Sequence, residues 1–167
     1  LLFCPSLRRI AAKNPNPYFP LVPGTSWKYA SEDETTEVTV TEDTIEILGI
    51  ECFVVKDVVR ENGEVIEDTD DWFVQDKEGN VWYFGELSME LEDGVIASLE
   101  GSWKSGEAGA KPGIIMKASP EVGDVYRQEF FLGDAEDLAE VISITGDEEA
   151  PAAACDGQCV VTRDFTP

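Results

Sequence analysis

Histidine is absent from this 167-residue chain, and basic residues are scarce, since 12 Lys and Arg stand against 35 Asp and Glu for a formal net charge of -23. Without histidine, the Ser-His-Asp and Cys-His catalytic arrangements are excluded, together with the commonest general base. Basic residues are adjacent at Arg8-Arg9, and beyond that pair they form no cluster. The negative field repels phosphate, which argues against nucleic acid or anionic lipid as a partner.

The sequence also lacks long apolar runs, phosphate-cradling glycine loops and repeats of fixed period. A membrane span needs about 18 apolar residues in succession, and no run approaches that length. P-loop and dinucleotide motifs, solenoids and propellers are excluded as well. What is present is 43% hydrophobic residues, including eight Phe, four Trp and four Tyr, which is enough to fill the core of one domain.

Four cysteines stand at positions 4, 52, 155 and 159. An even count without Cys/His ligand spacing indicates disulfides formed in an oxidising compartment. Three pairings are open. Cys155 and Cys159 can close a tight local loop and leave Cys4 to pair with Cys52, or Cys52 and Cys159 can lie on neighbouring strands. We expect an extracellular, periplasmic or cell-surface protein.

The first 24 residues are interrupted by proline. Pro15, Pro17, Pro20 and Pro23 lack backbone donors and bias each preceding residue away from helix. We therefore expect residues 1–24 to form an extended N-terminal arm, followed by a single β domain over residues 25–167.

From Trp27 onward the pattern is typical of β-strands. Val38 and Val40, and then Ile45 and Ile47, alternate with polar residues at the period of two that marks a strand with one wet face. Strands of this kind pair most simply with their neighbours in sequence. A mostly antiparallel arrangement is therefore expected.

Hairpin turns give the clearest structural signal. Asn62-Gly63 and Asp93-Gly94 supply the positive φ angles that type I′ turns require. The predicted strands around them are 50–60, 64–75, 80–92 and 95–103, with further strand-like runs at 113–117, 124–132, 138–144 and 159–164 and an alternative helical turn at 134–140. The sequence predicts an all-β fold: an antiparallel meander forming a strongly curved sheet, a partly open barrel or a sandwich.

Acidic residues in and before the turn that joins the predicted strands 64–75 and 80–92 suit a hard cation. Asp68 and Asp70 share one face of a predicted strand, and Asp76, Glu78 and Asn80 offer oxygen ligands around the next turn. These five residues are the predicted ligands of a calcium ion. The alternative interpretation is a solvated strand face followed by an ordinary acidic turn.

Paired carboxylates are the only plausible catalytic apparatus in such a chain, and they suit glycoside hydrolysis. We place this hypothesis last, because 35 acidic residues bring some carboxylates close together in any fold. The best candidates are Asp68, Asp70, Asp71 and Glu86, near Trp72 and Trp82.

Five aromatic residues lie on two adjacent predicted strands: Trp72, Phe73, Trp82, Tyr83 and Phe84. Because neighbours in a strand face opposite ways, some rings belong to the core and others can line a groove. This pattern allows a monomeric, lipocalin-like binder of a small apolar ligand or a glycan.

The stretch from Asn16 to Tyr29, with its Tyr-Phe-Pro-Leu, Gly and Trp-x-Tyr pattern, resembles the opening of a group of uncharacterised bacterial exported proteins and lipoproteins. Residues 47–57, 71–85 and 111–116 are similar to later stretches of that group. The resemblance implies export. It brings no activity and no catalytic residues, because none is established for the group.

Similar proteins continue past the segment that corresponds to Thr162–Pro167 into a further strand. If the protein ends at Pro167, we expect its sheet to lack that strand; if the sequence is trimmed there, the difference implies nothing about the sheet. An arm with spaced apolar residues could supply a strand to a neighbouring subunit. Our leading hypothesis is a non-enzymatic, secreted structural or interaction protein that assembles with itself into an oligomer or filament. The predicted interface residues are Leu1, Leu2, Phe3, Leu7 and Ile10.

Overall fold

The structure is a computed structural model and describes residues 14–167. Within these residues the fold is all-β, without a helix, as the sequence predicts. The strands are β1 (Ser26–Ala30), β2 (Glu34–Ile47), β3 (Ile50–Glu61), β4 (Glu64–Gln75), β5 (Val81–Glu92), β6 (Val95–Ser98), β7 (Trp103–Lys104), β8 (Gly113–Met116), β9 (Val125–Arg127), β10 (Leu138–Gly146), β11 (Glu149–Ala150), β12 (Ala153–Ala154) and β13 (Cys159–Phe165).

The large sheet is an antiparallel meander. Strands β1 to β6 pair in chain order, β7 and β8 add to β5, and the sheet does not close on itself. The two predicted hairpin turns are confirmed, with φ of 51° at Asn62 and 52° at Asp93, each followed by a glycine of positive φ. A third turn, at Leu48-Gly49, has the same positive φ angles, with 55° at Leu48. Its sequence does not predict them, because leucine, unlike Asn or Asp, rarely adopts a positive φ.

Two of the predicted strands are shorter than their sequence pattern suggests. The run 95–103 ends at Ser98 and resumes as the separate strand β7, and the run 124–132 forms only β9. The alternative helical turn at 134–140 does not form, because residues from Leu138 onward belong to β10.

A second sheet, of order β13-β10-β9, packs beside the large one. The two sheets approach closely at Gly113, where a Cβ atom would lie 2.1 Å from the carbonyl oxygen of Gln128. Only glycine fits such a contact. The remaining strands, β11 and β12, form a short hairpin of their own.

Both faces of the large sheet carry buried apolar side chains. One face contributes to a first core around Phe53, Phe73 and Tyr83. The opposite face forms a smaller second core of Ile47, Ile50, Cys52, Val74 and Phe84. Burial on both faces explains why the central strands are apolar at consecutive positions rather than at alternate ones.

One cysteine prediction is confirmed and one is wrong. Cys155 and Cys159 form a disulfide around a three-residue turn, with their Cα atoms 5.2 Å apart. The alternative pairing of Cys52 with Cys159 is excluded, because Cys52 is a free thiol fully enclosed by the second core. Burial raises the pKa of this thiol to about 12. Cys4, its other predicted partner, lies outside the described residues.

The described part of the predicted arm packs against the sheet. Asn16 is 2% exposed, and its backbone N–H donates to Oε1 of Gln75 at 2.7 Å, while its side-chain amide donates to the carbonyl oxygen of Gly79 at 2.9 Å. Leu21 belongs to the first core. The predicted interface residues lie outside the described residues: Leu1, Leu2, Phe3, Leu7 and Ile10.

Residues 14–167 include no helix with the length and apolar character of a membrane span.

Candidate functional site: an aromatic cleft with buried carboxyl groups

A cleft of about 370 Å³ lies between the segment 18–21 and one face of the large sheet. The sheet presents a row of directly opposed residues to it, since Val38 pairs with both Trp27 and Asp57, and Val55 pairs with both Val40 and Asp71. Opposed residues of antiparallel strands share a face. The aromatic side chains that line the cleft are Tyr18, Phe19, Trp27, Tyr29, Phe73 and Tyr83.

The rings differ in accessibility along the cleft. Tyr18 and Tyr29 are 41% and 59% exposed, whereas Phe73 and Tyr83 are each 5% exposed. Tyr83 is held in place by its neighbours, because it stacks on Phe73 at 4.6 Å between ring centroids and meets the edge of Trp103 at 5.3 Å. The inner wall is therefore buried and closely packed, and the outer one is accessible to solvent.

Two carboxyl groups stand among these rings. Asp71 accepts a hydrogen bond of 2.5 Å from the Tyr83 hydroxyl. Asp57 has a buried Oδ1 atom with no hydrogen-bond partner. A buried acceptor without a donor is costly, and native structures contain few of them.

A β-bulge brings a third carboxyl group, that of Glu86, next to Asp71. Asp71 lies opposite Glu86, while Phe73 lies opposite Tyr83, so β5 contains one residue more than β4 over this interval. The extra residue lets Tyr83 and Glu86 face the same side of the sheet. Gly85 makes the bulge possible, since it has φ of 129° and its Cβ position lies 2.2 Å from the carbonyl oxygen of Trp103.

The pKa values of Asp71 and Glu86 are strongly shifted. Burial raises the pKa of Asp71 to about 7, and the negative charges of Asp57, Glu129 and Glu67 add to this, while the hydrogen bond from Tyr83 opposes it. Burial raises the pKa of Glu86 to about 8, with repulsion from Asp71 and Glu129 adding to it.

The carboxyl groups next to this pair are affected in the same direction. Burial raises the pKa of Asp57, and the charge of Glu67 raises it further. Burial also raises the pKa of Glu129, helped by the charge of Asp137. We refer to Asp57, Asp71, Glu86 and Glu129 as the carboxyl cluster.

Five basic residues of the described chain form ion pairs, all of them with carboxylates outside this cluster. None of the ion pairs within residues 14–167 involves the carboxyl cluster. They join Lys56 to Asp68 and Asp70, Lys104 to Glu107, Lys117 to Asp124, Arg127 to Glu136 and Arg163 to Glu140.

The two halves of the predicted calcium site are far apart. Asp68 and Asp70 share a strand face, and both bind Lys56. They stand six to eight residues before Asp76 along the chain, a span of roughly 20 Å or more in an extended strand.

Two residues of the acidic turn, Asp76 and Asn80, already have protein partners. The carboxylate of Asp76 accepts hydrogen bonds from the backbone and side chain of Asn80 and from Nε1 of Trp82. Glu78 is exposed. Within residues 14–167, no group of three or more His, Cys, Asp or Glu side chains is arranged to hold a metal ion. Calcium binding stays a prediction.

The carboxylates proposed for glycoside hydrolysis are separated by the sheet. Asp71 and Glu86 come together, but Asp68 and Asp70 point to the opposite face. Asp71 lines the aromatic cleft, whereas Glu86 lines a separate acidic cleft of about 300 Å³ that it shares with Glu129. Asp71 and Glu86 are thus neighbours across β4 and β5, but each lines a different one of these two clefts.

The aromatic set is divided in the same way. Phe73 and Tyr83 face the cleft, whereas Phe84 lies in the second core and Trp72 and Trp82 pack against it. Alternation along the strands predicts this division.

Sequence reasoning missed several residues that build the cleft. Tyr18, Trp27 and Tyr29 come from the arm and the first strand, and Asp57 comes from β3. Two signals for these residues were available in the sequence. They are the Trp27-x-Tyr29 spacing and the single acidic residue, Asp57, within the mostly apolar run 52–59.

No family model matches the chain, and no curated protein or solved structure matches it at a significant level. The resemblance to bacterial exported proteins stays a prediction.

Proposed function

We propose that this protein binds a small molecule in its aromatic cleft and carries out no chemistry on it. The observation that supports this most directly is the cleft itself, which is within the size range of ligand sites and combines apolar walls with a few convergent polar groups. Buried, stacked rings form a preorganised wall, which lowers the cost of ordering on binding.

The electrostatics favour binding over hydrolysis. A carboxylate enzyme needs one acid and one base whose pKa values are driven apart by their surroundings. Here the pKa values of Asp71 and Glu86 are both raised, to about 7 and about 8, by the same causes. The two groups also open to different clefts.

The Cys155–Cys159 disulfide is compatible with an oxidising compartment. We infer that the protein is exported and meets its ligand outside the cytoplasm, in the periplasm or at the cell surface. Mass spectrometry of the protein isolated from its source compartment, with and without reduction, tests this placement.

A cleft-filling variant tests the binding function. Val38 lines the cleft, and Val38→Trp places an indole where the ligand would lie. Val58→Trp is the matched control, because Val58 follows Asp57 on β3 and faces the other way. We expect the neutral fluorescent probe N-phenyl-1-naphthylamine to bind the unmodified protein and Val58→Trp, and to bind Val38→Trp at least tenfold more weakly.

The two variants must first show comparable circular dichroism spectra. Equal affinity of the probe for Val38→Trp and Val58→Trp would place its binding outside the cleft. No fluorescence change with the unmodified protein would reject the binding function itself.

Self-assembly is the second candidate, and the open sheet favours it. Within the described chain β1 pairs only with β2, which leaves one edge of β1 free of a strand partner. A free edge can accept a strand from another molecule. The strand that we predict for this role contains Leu7 and Ile10.

A further inference from the structure

The carboxyl cluster has no cationic partner among the described residues. Lys56 and the other paired basic residues bind carboxylates outside the cluster. Several carboxyl groups held together without a cation repel one another and lose hydration. A positive charge placed in the cleft would relieve both effects.

The cleft also offers an acceptor that lacks a donor. Oδ1 of Asp57 is buried and has no hydrogen-bond partner, and Asp57 lines the cleft together with Asp71. The side chains of Asp57 and Asp71 lie on the same face of the sheet. Asp57 and Val55 are two residues apart on β3, and Val55 lies opposite Asp71. A ligand N–H group that reaches Asp57 would satisfy this oxygen.

The walls around these acceptors suit a cation with an apolar body. Trp27 and Tyr29 contribute aromatic rings near the accessible end of the cleft, and rings attract ammonium groups through their negative faces. The net charge of -23 also raises the local concentration of cations at the surface.

We propose that the ligand of the aromatic cleft is a small protonated amine with an apolar body, whose ammonium group binds between Asp57 and Asp71. This inference rests on the proposed binding function and narrows it to one chemical class.

The amine site has a defined dependence on pH. The titratable groups that act on Asp71 are Asp57 from β3, Glu67 from β4, Tyr83 and Glu86 from β5, and Glu129 from the segment after β9. Because the pKa of Asp71 is raised to about 7, an amine must displace a proton from it below that pH. Affinity for an amine therefore rises between pH 6 and pH 8.

A matched pair of probes tests the proposal. 2-Phenylethylamine is protonated across this pH range, and 2-phenylethanol has a hydroxyl in place of its ammonium group. We expect the amine to displace N-phenyl-1-naphthylamine at least tenfold more effectively than the alcohol at pH 8. The advantage should shrink by roughly tenfold at pH 6, following the ionised fraction of a group with a pKa near 7.

Variants of the two acceptors locate the effect. Asp71→Asn and Asp57→Asn should each remove most of the preference for the amine while keeping affinity for the alcohol. Asp93→Asn is the control, because it removes one charge from an exposed turn in which Asn is equally suited to the positive φ. It should leave the preference unchanged, which excludes a general effect of net charge.

The outcomes separate the two proposals. If N-phenyl-1-naphthylamine binds but the amine and the alcohol compete equally at pH 8, the amine proposal is overturned and the binding function stands. If Asp93→Asn lowers the preference as much as Asp57→Asn does, the cleft is not the amine site. If no probe binds, the binding function has failed and the amine proposal fails with it.

Discussion

At the scale of single residues, Tyr83 connects two carboxyl groups that titrate near neutral pH. Burial raises the pKa of Tyr83 well above the ordinary value, and the charges of Asp71 and Glu86 and the hydrogen bond that its hydroxyl donates to Asp71 raise it further. Tyr83 therefore stays a hydrogen-bond donor throughout the pH range in which the two carboxyl groups change charge. Protons taken up or released near the cleft belong to the carboxyl cluster.

The same carboxyl groups make stability depend on pH. In the unfolded chain Asp and Glu titrate near pH 4, whereas the folded pKa values of Asp71 and Glu86 are about 7 and about 8. Between these limits the folded state holds protons that the unfolded state has lost. The free energy of unfolding therefore decreases as pH rises from about 5 to above 8.

Glu86→Gln tests this linkage, because an amide cannot ionise. We expect the variant to match the unmodified protein at pH 5 and to exceed its free energy of unfolding at pH 8.5 by about 1 to 2 kcal/mol, after allowance for partial solvent access. Urea denaturation at the two pH values measures the difference. Glu92→Gln removes the same charge from an exposed position and is the control. An equal gain in both variants would show that net charge alone is responsible.

At the scale of strands, the bulge in β5 determines which side chains meet. Without the extra residue, Tyr83 and Glu86 would face opposite sides of the sheet, because side chains alternate along a strand. The bulge is stabilised by the antiparallel pairing of β7 with β5, in which Gly85 lies opposite Lys104 and Glu86 lies opposite Trp103. The short strand β7 is thus part of the framework that supports the cleft.

Gly85→Ala is expected to be strongly destabilising. The added Cβ would lie 2.2 Å from the carbonyl oxygen of Trp103, a backbone atom that cannot move without breaking the β5–β7 pairing. We expect a loss of about 3 kcal/mol or more in the free energy of unfolding, measured in urea.

Gly94→Ala is the matched control, because Gly94 also has a positive φ but nothing lies within 4 Å of its Cβ position. It should cost only about 1 kcal/mol, the strain of an L-residue in that conformation. Similar losses in the two variants would mean that the contact with Trp103 is not what constrains Gly85.

At the scale of the whole molecule, a high negative charge coexists with a sheet edge, that of β1, which has no strand partner among residues 14–167. Repulsion between like-charged copies of the protein opposes association and weakens at high salt. An unpaired strand edge favours association. Whether molecules associate through the N-terminal arm is decided by the balance of these two effects.

Deletion of residues 1–13 tests assembly through the arm. The hypothesis predicts that the full chain sediments as an oligomer at moderate salt and that the deletion variant sediments as a monomer. Replacing Leu7 and Ile10 with Ser should have the same effect, whereas replacing Ala11 and Ala12 with Ser should not. A monomeric full chain at all salt concentrations would contradict the hypothesis.

The sequence by itself determined the long strands of the meander and the two Asx-Gly hairpin turns. Strands of one-sided polarity follow from side chains that alternate every two residues, and Asn62-Gly63 and Asp93-Gly94 follow from backbone angles that few residues accept. Both are local properties. The Cys155–Cys159 disulfide could be proposed from the sequence for the same reason, because its two cysteines are close along the chain. The burial of Cys52 could not be predicted, because it depends on contacts between distant residues.

Only the tertiary structure decided the cleft and the carboxyl cluster beside it. Asp57, Asp71 and Glu86 belong to three strands, and they meet because of one strand register and one bulge. A shift of one residue would turn each side chain to the other face of the sheet. The sum of contacts across the sheet sets that register, so a pattern read along the chain predicts that the strands exist but not which of their side chains face one another.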